Sequence, residues 1–181
     1  NSRLLRTADA VQTTLLKPAV GVSPPIFRTA GRCAQNCPAQ IDVPRYVRLI
    51  AEGRFKEALE TILEQNPLPA ICGRVCFAPC EEACRQAKKG EPISIRLLKR
   101  YVSDVVGIQR RDVKRAKPTG KKVAVIGAGP AGLTAALRLA QWGYEVTVYE
   151  AASVAGGWMA QGIPEYRLPR DVLNVEIDSI R

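Results

Sequence analysis

The chain has 181 residues, 46% hydrophobic and 24% charged, which excludes wholesale disorder and leaves room for one domain or two small ones. The formal net charge of +10 does not by itself make a nucleic-acid binder, because residues 110–122 concentrate Arg110, Arg111, Lys114, Arg115, Lys117, Lys121 and Lys122 against the single acid Asp112. With Pro118, Gly120 and no aromatic residue, that run reads as a solvated linker in preference to a nucleic-acid-binding arm.

No apolar stretch reaches the roughly 18–20 residues that span a bilayer, and the first twenty residues lack the apolar core of a secretory signal. A soluble, cytoplasmic protein is expected. The sequence contains no histidine, which removes the commonest proton shuttle. It starts without Met and stops at Arg181 inside a continuing pattern, so it reads as part of a longer chain.

In chain order, residues 1–28 read as a short helix and an extended lead-in, with three prolines in "KPAVGVSPPIF". Asp42 before Pro44, with Tyr46, Leu49 and Ile50 on one face, predicts a helix over 44–52. Phe55, Leu59, Ile62 and Leu63 form the stripe of a second helix that stops before Pro67. After the cysteine-rich stretch, Ile95, Leu98, Val102 and Val105 mark a third, with Gly107 as its stop. No strand is expected before Lys121. Residues 29–109 thus read as a small all-helical module and residues 110–120 as the basic linker.

From 121 to 181 the pattern changes. The apolar run Val123 to Ile126 suits a buried parallel strand, Ala131 to Gln141 a helix ended by Gly143, and Glu145 to Tyr149 a second strand. The fold class is α plus α/β: a helical cysteine module followed by the first βαβ unit of a Rossmann-like domain. Its loop, Gly127-Ala128-Gly129-Pro130-Ala131-Gly132, places G-x-G-x-x-G between strand and helix. Gly127 permits the tight turn, Gly129 the approach of a pyrophosphate, and Gly132 close packing of helix on strand. Glu150 ends the second strand, where a carboxylate can accept both ribose hydroxyls of an adenosine. The loop does not choose between FAD and NAD(P).

Four of the six cysteines, Cys72, Cys76, Cys80 and Cys84, recur at every fourth position of "CGRVCFAPCEEAC". Disulfides fit poorly in the expected compartment. Four thiolates can also cage zinc, but zinc ribbons favour C-x2-C pairs, whereas the spacing here is C-x3-C and Pro79 breaks any regular helix before Cys80. An iron–sulfur cluster fits better: its ligands sit further apart, and a proline after a ligand, as in Cys37-Pro38, recurs in ferredoxin-like runs.

"GAGPAGLTAA" followed by "VYEAASVAGGWMAQGIPEYRLP" resembles the flavin domain of the glutamate synthase small subunit and of the related amino-terminal half of dihydropyrimidine dehydrogenase, over roughly Arg32 to Arg181. The resemblance implies FAD contacts at Gly127 to Gly132, at Glu150, at Gly156, Gly157 and Trp158, and at Arg167. It also implies 4Fe–4S clusters in the helical module. Members of that family feed two clusters from an early C-x2-C-x4-C-x3-C-P run and from later cysteines. "RCAQNCP" supplies only the last two of the early four, Cys33 and Cys37.

The family's cluster nearer the flavin would use Cys37, Cys76 and Cys80 and a glutamate or glutamine whose place here is taken by Lys99, a poor ligand. The other cluster would keep only Cys33 and Cys84. One 4Fe–4S cluster is therefore expected, on Cys37, Cys76 and Cys80 with either Cys33 or Cys84. Cys72 matches a family position that is usually not a ligand and reads as a small buried apolar residue. The implied function is an electron-transfer oxidoreductase subunit, with NADH or NADPH bound on a further domain and other redox subunits as partners. The alternative from the residues alone is a helical docking or assembly module with structural or vestigial cofactor sites.

Overall fold

The computed structural model describes residues 31–109 and 115–180. The expected lead-in, the first residues of the basic run and Arg181 lie outside them. Six α-helices come first: α1 (Arg32–Gln35), α2 (Val43–Ala51), α3 (Phe55–Leu63), α4 (Pro69–Val75), α5 (Pro79–Glu82) and α6 (Ile95–Val106), with a 3-10 turn at Arg85–Lys88 before α6. They are followed by β1 (Lys122–Ile126), α7 (Pro130–Gln141), β2 (Glu145–Tyr149), α8 (Trp158–Gln161) and α9 (Arg170–Asp178).

The Asp42 carboxylate caps α2 by accepting the Arg45 amide at 3.2 Å, and Pro44 sits in the first turn, where a missing amide costs nothing. The apolar stripes of α2, α3 and α6 meet in one core containing Ile41, Tyr46, Leu49, Ile62, Ile95 and Val102. Tyr46 is fully buried, and its hydroxyl donates to the Ile95 carbonyl at 3.1 Å.

A second core gathers Leu133, Leu168, Leu173 and Ile177 with Leu68 and Ile71, which come from α4 and the residue before it. The helical module therefore lends one of its helices to the nucleotide-binding half. That helix is absent from the sequence expectations, which pass from Pro67 directly to the cysteines. It begins at Pro69 and ends at Val75; Cys76 turns extended, and Ala78 adopts a left-handed φ of 59°. α5 then opens on Pro79. The break expected at Pro79 is thus a corner between two short helices. Cys72 stands on the first, Cys76 caps its end, Cys80 lies on the second and Cys84 follows it.

β1 and β2 pair in parallel, in register from Lys122 opposite Glu145 to Ile126 opposite Tyr149. The crossover helix α7 packs against both strands. The expectation of a buried strand over 123–126 is corrected: Ile126 is 82% exposed and Tyr149 56%, because a two-stranded sheet with one crossover helix is covered on one face only. Residues 115–120 run along the α7–β2 turn: the amides of Ala116 and Thr119 donate to the carbonyls of Gln141 and Gly143 at 2.8 and 2.9 Å. Among the described residues no helix is long and apolar enough to cross a membrane.

Candidate cofactor sites

The glycine loop joins the end of β1 to the start of α7. A Cβ on Gly132 would lie 1.9 Å from the Gly127 carbonyl oxygen, so helix and loop can approach this closely only with glycine there. A Cβ on Gly129 would meet nothing within 4 Å. The two glycines thus differ in role: Gly132 closes the frame, and Gly129 keeps open the space over the helix. No side chain caps α7, and the first-turn amides of Ala131 and Gly132 have no partner within the helix. Pro130 at the first position has no amide to leave unpaired. Open space, unpaired amides and the positive helix end are what a pyrophosphate requires, so these residues fit a dinucleotide.

Glu150 faces the loop from the end of β2. Its carboxylate accepts the Ala152 amide at 2.9 Å and the Ala128 amide at 2.7 Å, and these two bonds hold its pKa below the ordinary carboxylate value. The side chain stays exposed, and each oxygen retains a lone pair for a ribose hydroxyl. The Gly156 amide donates to the Ala128 carbonyl at 2.8 Å, and a Cβ on Gly157 would come within 3.0 Å of the Gly129 Cα. The second glycine turn is therefore laid directly on the first.

Trp158 opens α8 with 76% of its surface exposed, and the Arg167 side chain is exposed beyond it. Sequence reasoning points to Arg167 in this segment and misses Arg170. The Arg170 guanidinium donates to the carbonyls of Met159 and Ile163, both at 3.0 Å, and fastens the Trp158 segment to the start of α9. Sequence reasoning also misses Glu176. It is an acid on the apolar stripe of α9, between Leu173 and Ile177, and that misplaced charge is the signal that could have found it. Its oxygens accept the Ala70 and Ile71 amides at 2.7 and 2.8 Å, at the start of α4.

All six cysteines are free thiols. The fold sorts them. Cys33 and Cys84 line a cavity of about 300 Å³ together with Arg32, Pro44 and Ile93, and each thiol lies within the other's electrostatic reach. Cys37, Cys72, Cys76 and Cys80 gather around Lys99. Lys99 lies within electrostatic reach of Cys72, Cys76 and Cys37, and Cys80 within that of Lys99, Cys37 and Cys76. Burial pushes the Cys80 thiol up to about 11, against the opposing pull of the Lys99 ammonium, so binding a metal there must expel a proton.

Cys72 does more than fill space: its Sγ lies 3.1 Å from Lys99 Nζ. The Cys76 sulfur accepts the Ala78 amide at 3.3 Å, and Arg96 donates to the Cys76 carbonyl at 3.0 Å, fixing the corner between α4 and α5. Among the described residues no three Cys, Asp or Glu side chains converge tightly enough for a single metal ion. A cubane draws its ligands from further apart, and an all-thiol donor set with amide-to-sulfur bonding fits an iron–sulfur group.

A helical thiol-rich module fused to a dinucleotide-binding fold defines the class of this protein. Residues 28–110 match the family model "dihydropyrimidine dehydrogenase domain II, 4Fe-4S cluster", and residues 125–174 match "NAD(P)-binding Rossmann-like domain". The chain belongs to the family that joins these two domains in this order. Its relatives include the NADP(+)-dependent formate dehydrogenase subunit beta of Moorella thermoacetica, 46% identical over 91% of this chain and 26% of that protein. The NAD-dependent dihydropyrimidine dehydrogenase subunit PreT of Escherichia coli is 45% identical over 82% of this chain and 37% of its own length. The glutamate synthase [NADPH] small chain of Bacillus subtilis is 43% identical over 78% and 29%. The chain thus spans between about a quarter and just over a third of these relatives, and the resemblance drawn from its motifs is borne out.

Proposed function

We propose that this chain is the electron-transfer portion of an NAD(P)H-dependent oxidoreductase, holding FAD on its glycine loops and a 4Fe–4S cluster in its helical module. The observation that carries this reading is the junction between the two sites. α4 bears Cys72 and ends at Cys76, while its opening amides are gripped by Glu176 from the nucleotide-binding half. One short helix thus connects the thiols to the half that carries the glycine turns.

In this reading Gly127 to Gly132 receive the pyrophosphate, Glu150 the ribose, and the turn at Gly156, Gly157 and Trp158, with Arg167, borders the flavin. FAD would supply the conversion of a two-electron hydride into single electrons that a cluster can take. The protein's contribution is position: the first-turn amides would orient the pyrophosphate, Arg170 braces the bordering turn, and the free thiols, Cys80 the buried one among them, would hold the iron. Cys37, Cys76 and Cys80 would hold the cluster, with a further thiol as the fourth ligand. The relatives are named as oxidoreductase subunits, which supports other redox subunits as partners and pyridine nucleotide as the electron source. Six free thiols suit the reducing cytoplasm.

Anaerobic purification with flavin absorbance, iron and acid-labile sulfide analysis tests the reading. Flavin and iron with matching sulfide are expected. A protein with zinc in place of iron, or with neither flavin nor iron, would overturn it.

A further inference from the structure

Lys99 is only 5% exposed and projects from α6 into the thiol cluster, where its ammonium meets Cys72 Sγ at 3.1 Å. A buried ammonium is costly unless a negative group lies beside it, and a neutral thiol is a feeble acceptor for it. Its surroundings call for anionic sulfur. Cys72 and Cys76 stand one turn apart, the Cys76 amide bonding to the Cys72 carbonyl at 3.1 Å, so both sulfurs issue from the same side of the end of α4. Cys80 follows around the corner on α5, and Cys37 completes the group. Cys33 and Cys84 line their own cavity beside Pro44 and Ile93.

We propose that Cys72 is the fourth thiolate of the cluster held by Cys37, Cys76 and Cys80, and that the buried Lys99 ammonium is the fixed countercharge of that cluster. This assignment rests on the presence of a cluster proposed above. It uses four thiols already gathered around one cation, without drawing Cys33 or Cys84 from their cavity. It also accounts for a lysine at position 99. Where a neutral or acidic side chain would offer a ligand atom, Lys99 offers charge, and the sulfur it touches offers the ligand. A positive charge held beside a cluster favours the reduced, more negative state.

The full-length protein, prepared anaerobically, tests this through iron content, the EPR spectrum of the reduced cluster and its midpoint potential, with retained flavin reporting the fold. Cys72→Ala should lose one cluster's worth of iron, and Cys72→Ser should keep iron with an altered EPR spectrum. Cys33→Ala and Cys84→Ala should match the wild type in both. Lys99→Met should keep the iron but disfavour reduction by at least tenfold, about 59 mV for a one-electron couple, and Lys99→Arg should restore it. Wild-type iron and spectrum in both Cys72 variants, or loss of the cluster in the Cys33 or Cys84 variant instead, would overturn the ligand set alone. A wild-type protein without iron would overturn the cluster itself.

Discussion

Glu176 Oε1 accepts the backbone amide of Ala70 at 2.7 Å across a sequence separation of 106 residues, with the glutamate fully buried. The second oxygen takes the neighbouring amide of Ile71, so one carboxylate answers two donors that α4 cannot satisfy itself. Glu176→Leu would leave both amides buried without an acceptor. At about 1–3 kcal/mol for each orphaned group, the expected loss is about 2–6 kcal/mol, read from the denaturant midpoint. A loss under about 1 kcal/mol would contradict the assigned role.

Gly129 and Gly132 should respond differently to the same substitution. Gly132→Ala drives a methyl group into the Gly127 carbonyl, so stability and flavin retention should fall together. Gly129→Ala meets no protein atom and requires no unusual backbone angle, since its φ is −75°. Its melting temperature without ligand should match the wild type while flavin affinity falls by roughly tenfold or more, because the methyl group occupies the pyrophosphate's approach. Equal flavin affinity in Gly129→Ala would show that the dinucleotide lies elsewhere.

The Glu150 carboxyl is held below its ordinary value of 4.5 by the amides of Ala152 and Ala128. A depressed pKa in the folded state contributes stability that is present above the unfolded value and lost as pH falls through the folded one. Flavin retention should therefore stay level from neutral pH down through 4.5 and decline only below it. Glu150→Gln can still accept but carries no charge, and flavin affinity should drop by about 10- to 100-fold, the worth of a charge-assisted hydrogen bond. Fluorescence titration of the apoprotein measures both effects.

Arg170 reaches two carbonyls, of Met159 and Ile163, in the segment proposed to border the flavin. Arg170→Leu removes both bonds, and the turn should loosen, with roughly 1–3 kcal/mol of stability lost and faster proteolysis between Gly156 and Pro164. Arg170→Lys can reach only one carbonyl well, so an intermediate effect is expected. Cleavage unchanged in Arg170→Leu would remove the bracing role.

Regular periodicity makes most elements legible. The stripe Phe55, Leu59, Ile62 and Leu63 locates α3, and β2 falls on the expected residues 145–149, because one period dominates each window. α4 is hidden. Its seven residues are too few for a periodic signal, and its cysteines invite a reading by ligand spacing. The glycine loop and Glu150 are legible because local chain order makes that site. Glu176 and the pairing of Cys72 with Lys99 are not, since each joins segments brought together only by packing, 106 and 27 residues apart.

α4 also bears on how the protein is assembled. It carries Cys72 and is capped by Cys76, its first amides hang from Glu176, and the next residue, Ile177, reaches to 3.3 Å from where a Cβ on Gly156 would sit. Whatever orders one end of this helix lowers the entropy cost of ordering the other. Under the proposed function, metal insertion and flavin uptake are expected to favour one another, and protein stripped of iron should release its flavin sooner.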